Sequence, residues 1–145
     1  MQTMSTETIN LKIKLSEDSY TDGHLTLHDE IPSHPDDVQL DISFSERKES
    51  VVAHDFFEAL VMLRKKLETE NVWLCCNGAA ENVYPSAMAR SMGGGLKAYK
   101  LTLGEQAKTE DLVAIFEDSL GLPPSPVLTQ QAFYDQWLRS LRARN

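Results

Sequence analysis

Polar and apolar residues alternate one by one over the first third of the chain. Leu11, Ile13 and Leu15 alternate with Lys12 and Lys14, the period-2 signature of a strand with one wet face, and this predicts a strand over about Ile9 to Leu15. The run from Glu17 to Gly23 supplies turn chemistry, and Leu25 and Leu27 then alternate with His24, Thr26 and His28, so a hairpin is expected. Pro32 and Pro35 interrupt the next stretch. Val38, Leu40, Ile42 and Phe44, separated by Gln39, Asp41 and Ser43, give the clearest strand signal and complete three antiparallel strands.

Beyond Ser45 the period lengthens to about 3.6 residues. Phe56, Leu60, Leu63 and Leu67 fall on one stripe, with Arg64, Lys65 and Lys66 outside it, which predicts a long helix from about Val52 to Thr69 packed on the sheet. Val72 to Cys76 is a short apolar run ending at Asn77 and Gly78, as a buried central strand closed by a turn would be. Ser86 is placed to cap a short helical patch over 87–92, which Gly93, Gly94 and Gly95 end. Leu96 to Leu103 alternates again and stops at Gly104. Thr109 to Phe116 fits either a helical face or an edge strand, and the compact apolar run after a turn favours the strand. Pro123, Pro124 and Pro126 make a stiff extended connection. A final helix follows, capped by Thr129, with Phe133, Trp137 and Leu141 in line and Tyr134 and Leu138 widening the stripe. The order of elements describes one α+β domain over residues 1–145, a mainly antiparallel sheet covered on one face by a long helix and a C-terminal helix.

Composition agrees with one domain: 145 residues with 41% hydrophobic content suffice for a core without staples. No stretch approaches the roughly 20 apolar residues of a membrane span, and Met1 to Asn10 lacks the charged start and apolar centre of a signal peptide, so a cytoplasmic location is expected. The only cysteines are the neighbours Cys75 and Cys76, which suit a reducing compartment.

Charge changes the picture more. The net charge of −8 lies wholly within Ser16 to Glu49, where ten acids face only Arg47 and Lys48. Asp22, Asp29, Glu30, Asp36, Asp37 and Asp41 are the candidate partner-binding residues of this window, either as one negative face that steers a basic protein or as a solubilising surface. Direct binding to a nucleic-acid backbone is disfavoured, because counterion release needs clustered Lys and Arg.

Chemistry is sparse. A strand ending in Asn77 and Gly78, a turn capped by Ser86, and Gly93 and Gly94 close to Arg90 together describe a concave site with free backbone N–H groups for an anion; structural turn and cap is the competing reading. Three consecutive glycines match neither the dinucleotide nor the phosphate-loop fingerprint. Cys76 as nucleophile with His54 as base and Asp55 or Glu81 as orienter has no spacing rule behind it, and a cysteine within Val-Trp-Leu-Cys-Cys more often fills a core. His24 and His28 share a strand face but lie about 13 Å apart, too far to chelate one ion. No metal or cofactor is expected, and the scattered acids do not pair for catalysis.

The string CNGAAENVYPSAMARSMGGGLKAYKLTLG, from Cys76 to Gly104, followed by LVAIFE, resembles a segment of small uncharacterised bacterial proteins. The likeness spans roughly Val72 to Glu117. Those proteins are similar in size and layout to the immunity proteins of bacterial polymorphic toxin systems, small cytosolic binders that block a cognate toxin. The resemblance implies a protein partner and transfers no catalytic residue. The expectation is therefore a protein-binding module, an immunity protein covering a toxin's basic cleft, with self-association possible. The alternative is a small ligand-binding domain or enzyme with its site in the Asn77–Gly95 loop.

Overall fold

The computed structural model describes residues 6–142; the two ends of the expected domain, including the first half of the Met1 to Asn10 stretch, lie outside the described residues. The architecture is α+β. Strands β1 (Thr6–Ser16), β2 (Ser19–His28), β3 (Val38–Phe44) and β4 (Arg47–Ala53) form an antiparallel meander, and β5 (Trp73–Cys75) adds to the far side of β1, giving the order β4-β3-β2-β1-β5. A second sheet, ordered β6-β7-β8, contains β6 (Val83–Tyr84), β7 (Lys97–Lys100) and β8 (Leu112–Ala114). Among the described residues three α-helices accompany the sheets: α1 (Phe56–Glu68), α2 (Ala87–Gly93) and α3 (Val127–Arg142).

The alternation seen in the sequence sets the faces of the large sheet. Leu11, Ile13, Leu25, Leu27, Leu40 and Ile42 point to one side and are buried against Phe56, Leu60, Leu63 and Leu67 of α1. Each fully buried side chain of this kind contributes about 1.5–3 kcal/mol. The other side of the sheet carries Asn10, Lys12, Asp22, His24, His28, Asp41 and Ser50.

The expected helix from Val52 begins four residues late, because residues 47–53 form a fourth strand. Ser45 and Glu46 have positive φ, 46° and 64°, as the tight hairpin turn between β3 and β4 requires, and Val51 and Val52 are β-branched. Helix α1 starts only at Phe56, behind the N-cap Asp55, whose carboxylate accepts the Glu58 N–H at 2.8 Å. The β1–β2 turn is likewise shorter than expected: β2 begins at Ser19 and Gly23 lies inside it, opposite Leu11.

Three further expectations are corrected. The Val72 to Cys76 run is an edge strand, paired only with β1, since the chain turns into a 3-10 segment at Asn77–Ala79. The Leu96 to Leu103 stretch pairs over only four residues and belongs to the separate sheet. Helix α3 starts at Val127, not behind a Thr129 cap; the Glu68 carboxylate at the end of α1 accepts the Val127 N–H at 3.1 Å and does the capping from outside. Leu112 to Ala114 is an edge strand, as the pattern favoured. No helix among the described residues is long and apolar enough to cross a membrane.

Candidate functional site

The six acids of the N-terminal window fall in three places. Asp29, Glu30, Asp36 and Asp37 lie together in the β2–β3 loop at one end of the sheet, a nine-residue segment without Lys or Arg. Two successive turns hold it, from His34 N–H to Ile31 O and from Asp37 N–H to His34 O, each 3.0 Å, and Pro32 and Pro35 stiffen it. Asp29 and Asp36 are exposed, and the Asp37 carboxylate lies 3.0 Å from Nδ1 of exposed His54.

Asp41 sits in the middle of the polar face instead. Its Oδ1 accepts from Gln39 Nε2 at 2.8 Å and Ser50 Oγ at 2.6 Å, and its Oδ2 lies 2.9 Å from His28 Nε2. Partial burial works against its charge, but the bonds from Ser50, Gln39 and His28 prevail and hold its pKa below the usual carboxylate range. Ser50, Asp41 and His28 are not a hydrolytic triad: the hydroxyl donates to the carboxylate, so the serine has no imidazole base. Asp22, nearer the other end of the sheet, bonds Lys12 Nζ at 2.6 Å, and that bond lowers its pKa. On the sheet face each of these acids therefore has local partners, Lys12 for Asp22 and Ser50, Gln39 and His28 for Asp41, and the loop of residues 29–37 carries the concentrated acid.

The Asn77–Gly95 segment is buried at its two ends, around Asn77–Ala80 and at Gly95, while α2 between them lies at the surface with Met88 and Met92 exposed. Asn77 and Gly78 are buried in the 3-10 turn; their N–H groups donate to Glu117 O and Ile115 O at 2.8 Å each, and Asn77 Nδ2 donates to Ala114 O at 3.1 Å. A Cβ on Gly78 would meet Leu60 Cδ2 at 2.6 Å. Ser86 caps α2 by accepting the Ala89 N–H at 3.0 Å, as its sequence position predicts. Gly93 ends α2. Gly94 has φ 67° and its carbonyl accepts the Phe56 N–H at 2.7 Å, closing the first turn of α1. Arg90 Nε donates to Asp55 Oδ2 at 3.0 Å and its guanidinium lies 5.7 Å from the centre of the Phe57 ring. The N–H groups of Phe56, Asn77, Gly78 and Gly95 all have carbonyl partners, so the cradle expected for an anion is filled by the chain's own backbone.

Sequence reasoning missed the polar centre of the molecule. Arg64, expected outside the α1 stripe, is 4% exposed. Its guanidinium donates to Gln130 Oε1 at 2.7 Å, Ser125 O at 2.6 Å, Gly78 O at 3.2 Å and Ala79 O at 3.4 Å. Gln130, buried on α3, donates in turn to Gly78 O, Ala80 O and Val83 O at 2.8–3.0 Å. Burial pulls the Arg64 pKa down, and the nearest counter-charges act only at a distance. The available signal was spacing: seven residues after Phe57, Arg64 returns to the same side of α1.

Cys76 is fully buried and burial pushes its thiol up to about 12, so it is no nucleophile at neutral pH. His54 is bonded to Asp37 and Asp55 to Arg90 and the α1 N-terminus, so the expected trio is not assembled. Among the described residues, no three His, Cys, Asp or Glu side chains converge as metal ligands, and no buried side-chain N or O lacks a partner. No protein-family model matches the chain and no curated protein is significantly similar to it.

Proposed function

We propose that this chain is a cytoplasmic protein-binding module whose acidic β2–β3 loop engages a basic surface on a cognate protein, and that it serves as an immunity protein by covering the positive cleft of a bacterial toxin. One observation carries the reading. Four acids, Asp29, Glu30, Asp36 and Asp37, stand on a loop that two turns and two prolines hold in shape, with no Lys or Arg within it. Ordering such a loop in advance lowers the cost of association, and concentrated charge of one sign accelerates encounter with the opposite sign.

The test is co-purification with the product of the adjacent gene, followed by rescue of cells expressing that product. On the complex, the association rate should fall steeply between about 20 and 500 mM salt, as the Debye length shrinks from roughly 20 Å to 4–5 Å. Asp36→Asn combined with Asp37→Asn should slow association several-fold and flatten the salt dependence. Glu110→Gln with Glu117→Gln, exposed acids outside the loop, is the control. A chain that stays alone in pull-downs and protects no cells would end the proposal; equal behaviour of the two pairs would end its electrostatic part.

A further inference from the structure

Strand β4 is the outermost strand of the large sheet, and its outer side is open. The two-residue turn at Ser45 and Glu46 makes Phe44 and Arg47 the first pair across the hairpin. In such a hairpin that pair exchanges both ladder hydrogen bonds, and every second pair beyond it does too. Arg47, Glu49, Val51 and Ala53 therefore direct their backbone groups to β3, and Lys48, Ser50 and Val52 direct theirs outward. Among the described residues, no backbone hydrogen bond closes that row. A seven-residue open edge is a template for another strand.

We infer that the occupant is a second copy of this chain, with the two β4 strands pairing antiparallel across a two-fold axis at Ser50. This inference does not depend on the acidic-loop reading. Ser50 is the midpoint of residues 47–53, so this register pairs the whole strand with itself and sets all three outward residues opposite one another: Ser50 against Ser50, Lys48 against Val52. It also sets Arg47 against Ala53 and Glu49 against Val51, so no like charges stand directly opposed. Lys48, which would blunt this edge against unrelated strands, meets an apolar partner whose exposure it covers; Val52 is 38% exposed.

Helix α1 is self-complementary about the same axis. Ser50 lies about 10 Å along β4 from Ala53 and Met62 about 9 Å along α1 from Phe56, at about 3.3 and 1.5 Å per residue, and the two elements run in opposite directions. Met62, 41% exposed, therefore stands at the height of Ser50. Two antiparallel copies of α1 bring the Met62 side chains towards the axis and set Glu58 of each copy against Lys65 of the other. A groove of about 510 Å³ runs along this flank, lined by Val52, Phe57, Glu58, Val61, Met62 and Lys65 among others.

Sedimentation equilibrium of the full chain should give about twice 16.3 kDa at high concentration, with dissociation on dilution. Ser50→Pro removes an outward N–H and no backbone bond to β3; it also removes the hydroxyl that donates to Asp41, a loss that Ser50→Ala shares, so Ser50→Pro should yield a monomer and Ser50→Ala a dimer, both folded by circular dichroism. Ser50→Cys, in a Cys75→Ser background, should form an intermolecular disulfide on mild oxidation, because directly opposed residues of a hydrogen-bonded pair have Cα atoms about 5.5 Å apart. Glu58→Lys should weaken the dimer at least tenfold and Glu58→Lys with Lys65→Glu should restore it. A wild-type chain that is monomeric at all concentrations overturns the inference, as does a folded Ser50→Pro chain that still dimerises. If Ser50→Pro does not fold, the cross-link decides, and its failure in a dimeric sample overturns the β4 pairing.

Discussion

The loop of residues 29–37 and the segment of residues 77–95 are both polar, turn-rich and unexplained by strand or helix patterning, yet they have opposite fates. The first stands at the end of the sheet with Asp29 and Asp36 in water. The second is buried at both ends, where the Asn77–Ala80 turn and Gly95 are occupied by contacts with Asp55, Phe57, Arg64, Ile115 and Gln130, and α2 between them is exposed. Charge separates them. A cluster of carboxylates stays where water or a partner can solvate it, whereas Asn, Gly and Ser can be buried once each polar atom is bonded.

If this contrast is real, the deepest perturbation belongs to the inner segment. Arg64→Leu should cost roughly 2–4 kcal/mol in urea denaturation, since it takes a donor from buried Gln130 Oε1 and Ser125 O, while Gly78 O and Ala79 O keep second donors in Gln130 and Ser125. A loss under about 1 kcal/mol would mean that water replaces the guanidinium and that the segment is not closed. Gly95→Ala should cost about 1–3 kcal/mol, because φ is 74° and the added Cβ would lie 2.7 Å from Asp55 Oδ1 and 2.9 Å from Phe57 N. A neutral result would show that the α1 N-terminus and the glycine turn separate easily. In the outer loop, Asp36→Asn with Asp37→Asn should change folding stability by no more than about 0.5 kcal/mol, since the one bond disturbed is to an exposed His54. A larger loss would assign the loop a structural duty and erase the contrast.

What could be read from the chain follows the same division. Where one face is wet and one dry, as in Leu11 to Leu15 and Val38 to Phe44, the period of apolar residues places the strand and its inner side. It fails for β4, where Arg47, Lys48, Glu49 and Ser50 mask the alternation because Arg47 and Glu49 face inward only to pair with Glu70 and Lys66 on α1 and its end. It fails again at Arg64, whose burial depends on a glutamine 66 residues away. The acidic window is legible as composition, but its division into loop, sheet face and Lys12 pair is set by strand register, which no local pattern carries.

That distance of 66 residues also has a meaning in time. During synthesis at about 5–20 residues per second, roughly 3–13 s pass between the appearance of Arg64 and that of Gln130. Over that interval the meander and α1 are complete, but the cleft awaiting Ser125 and α3 stays wet around a guanidinium that has nowhere dry to go. Two of the four acceptors of that guanidinium, Ser125 O and Gln130 Oε1, come only with the last helix and the residues that lead into it, so the buried arrangement around Arg64 is among the last parts of the molecule that synthesis allows.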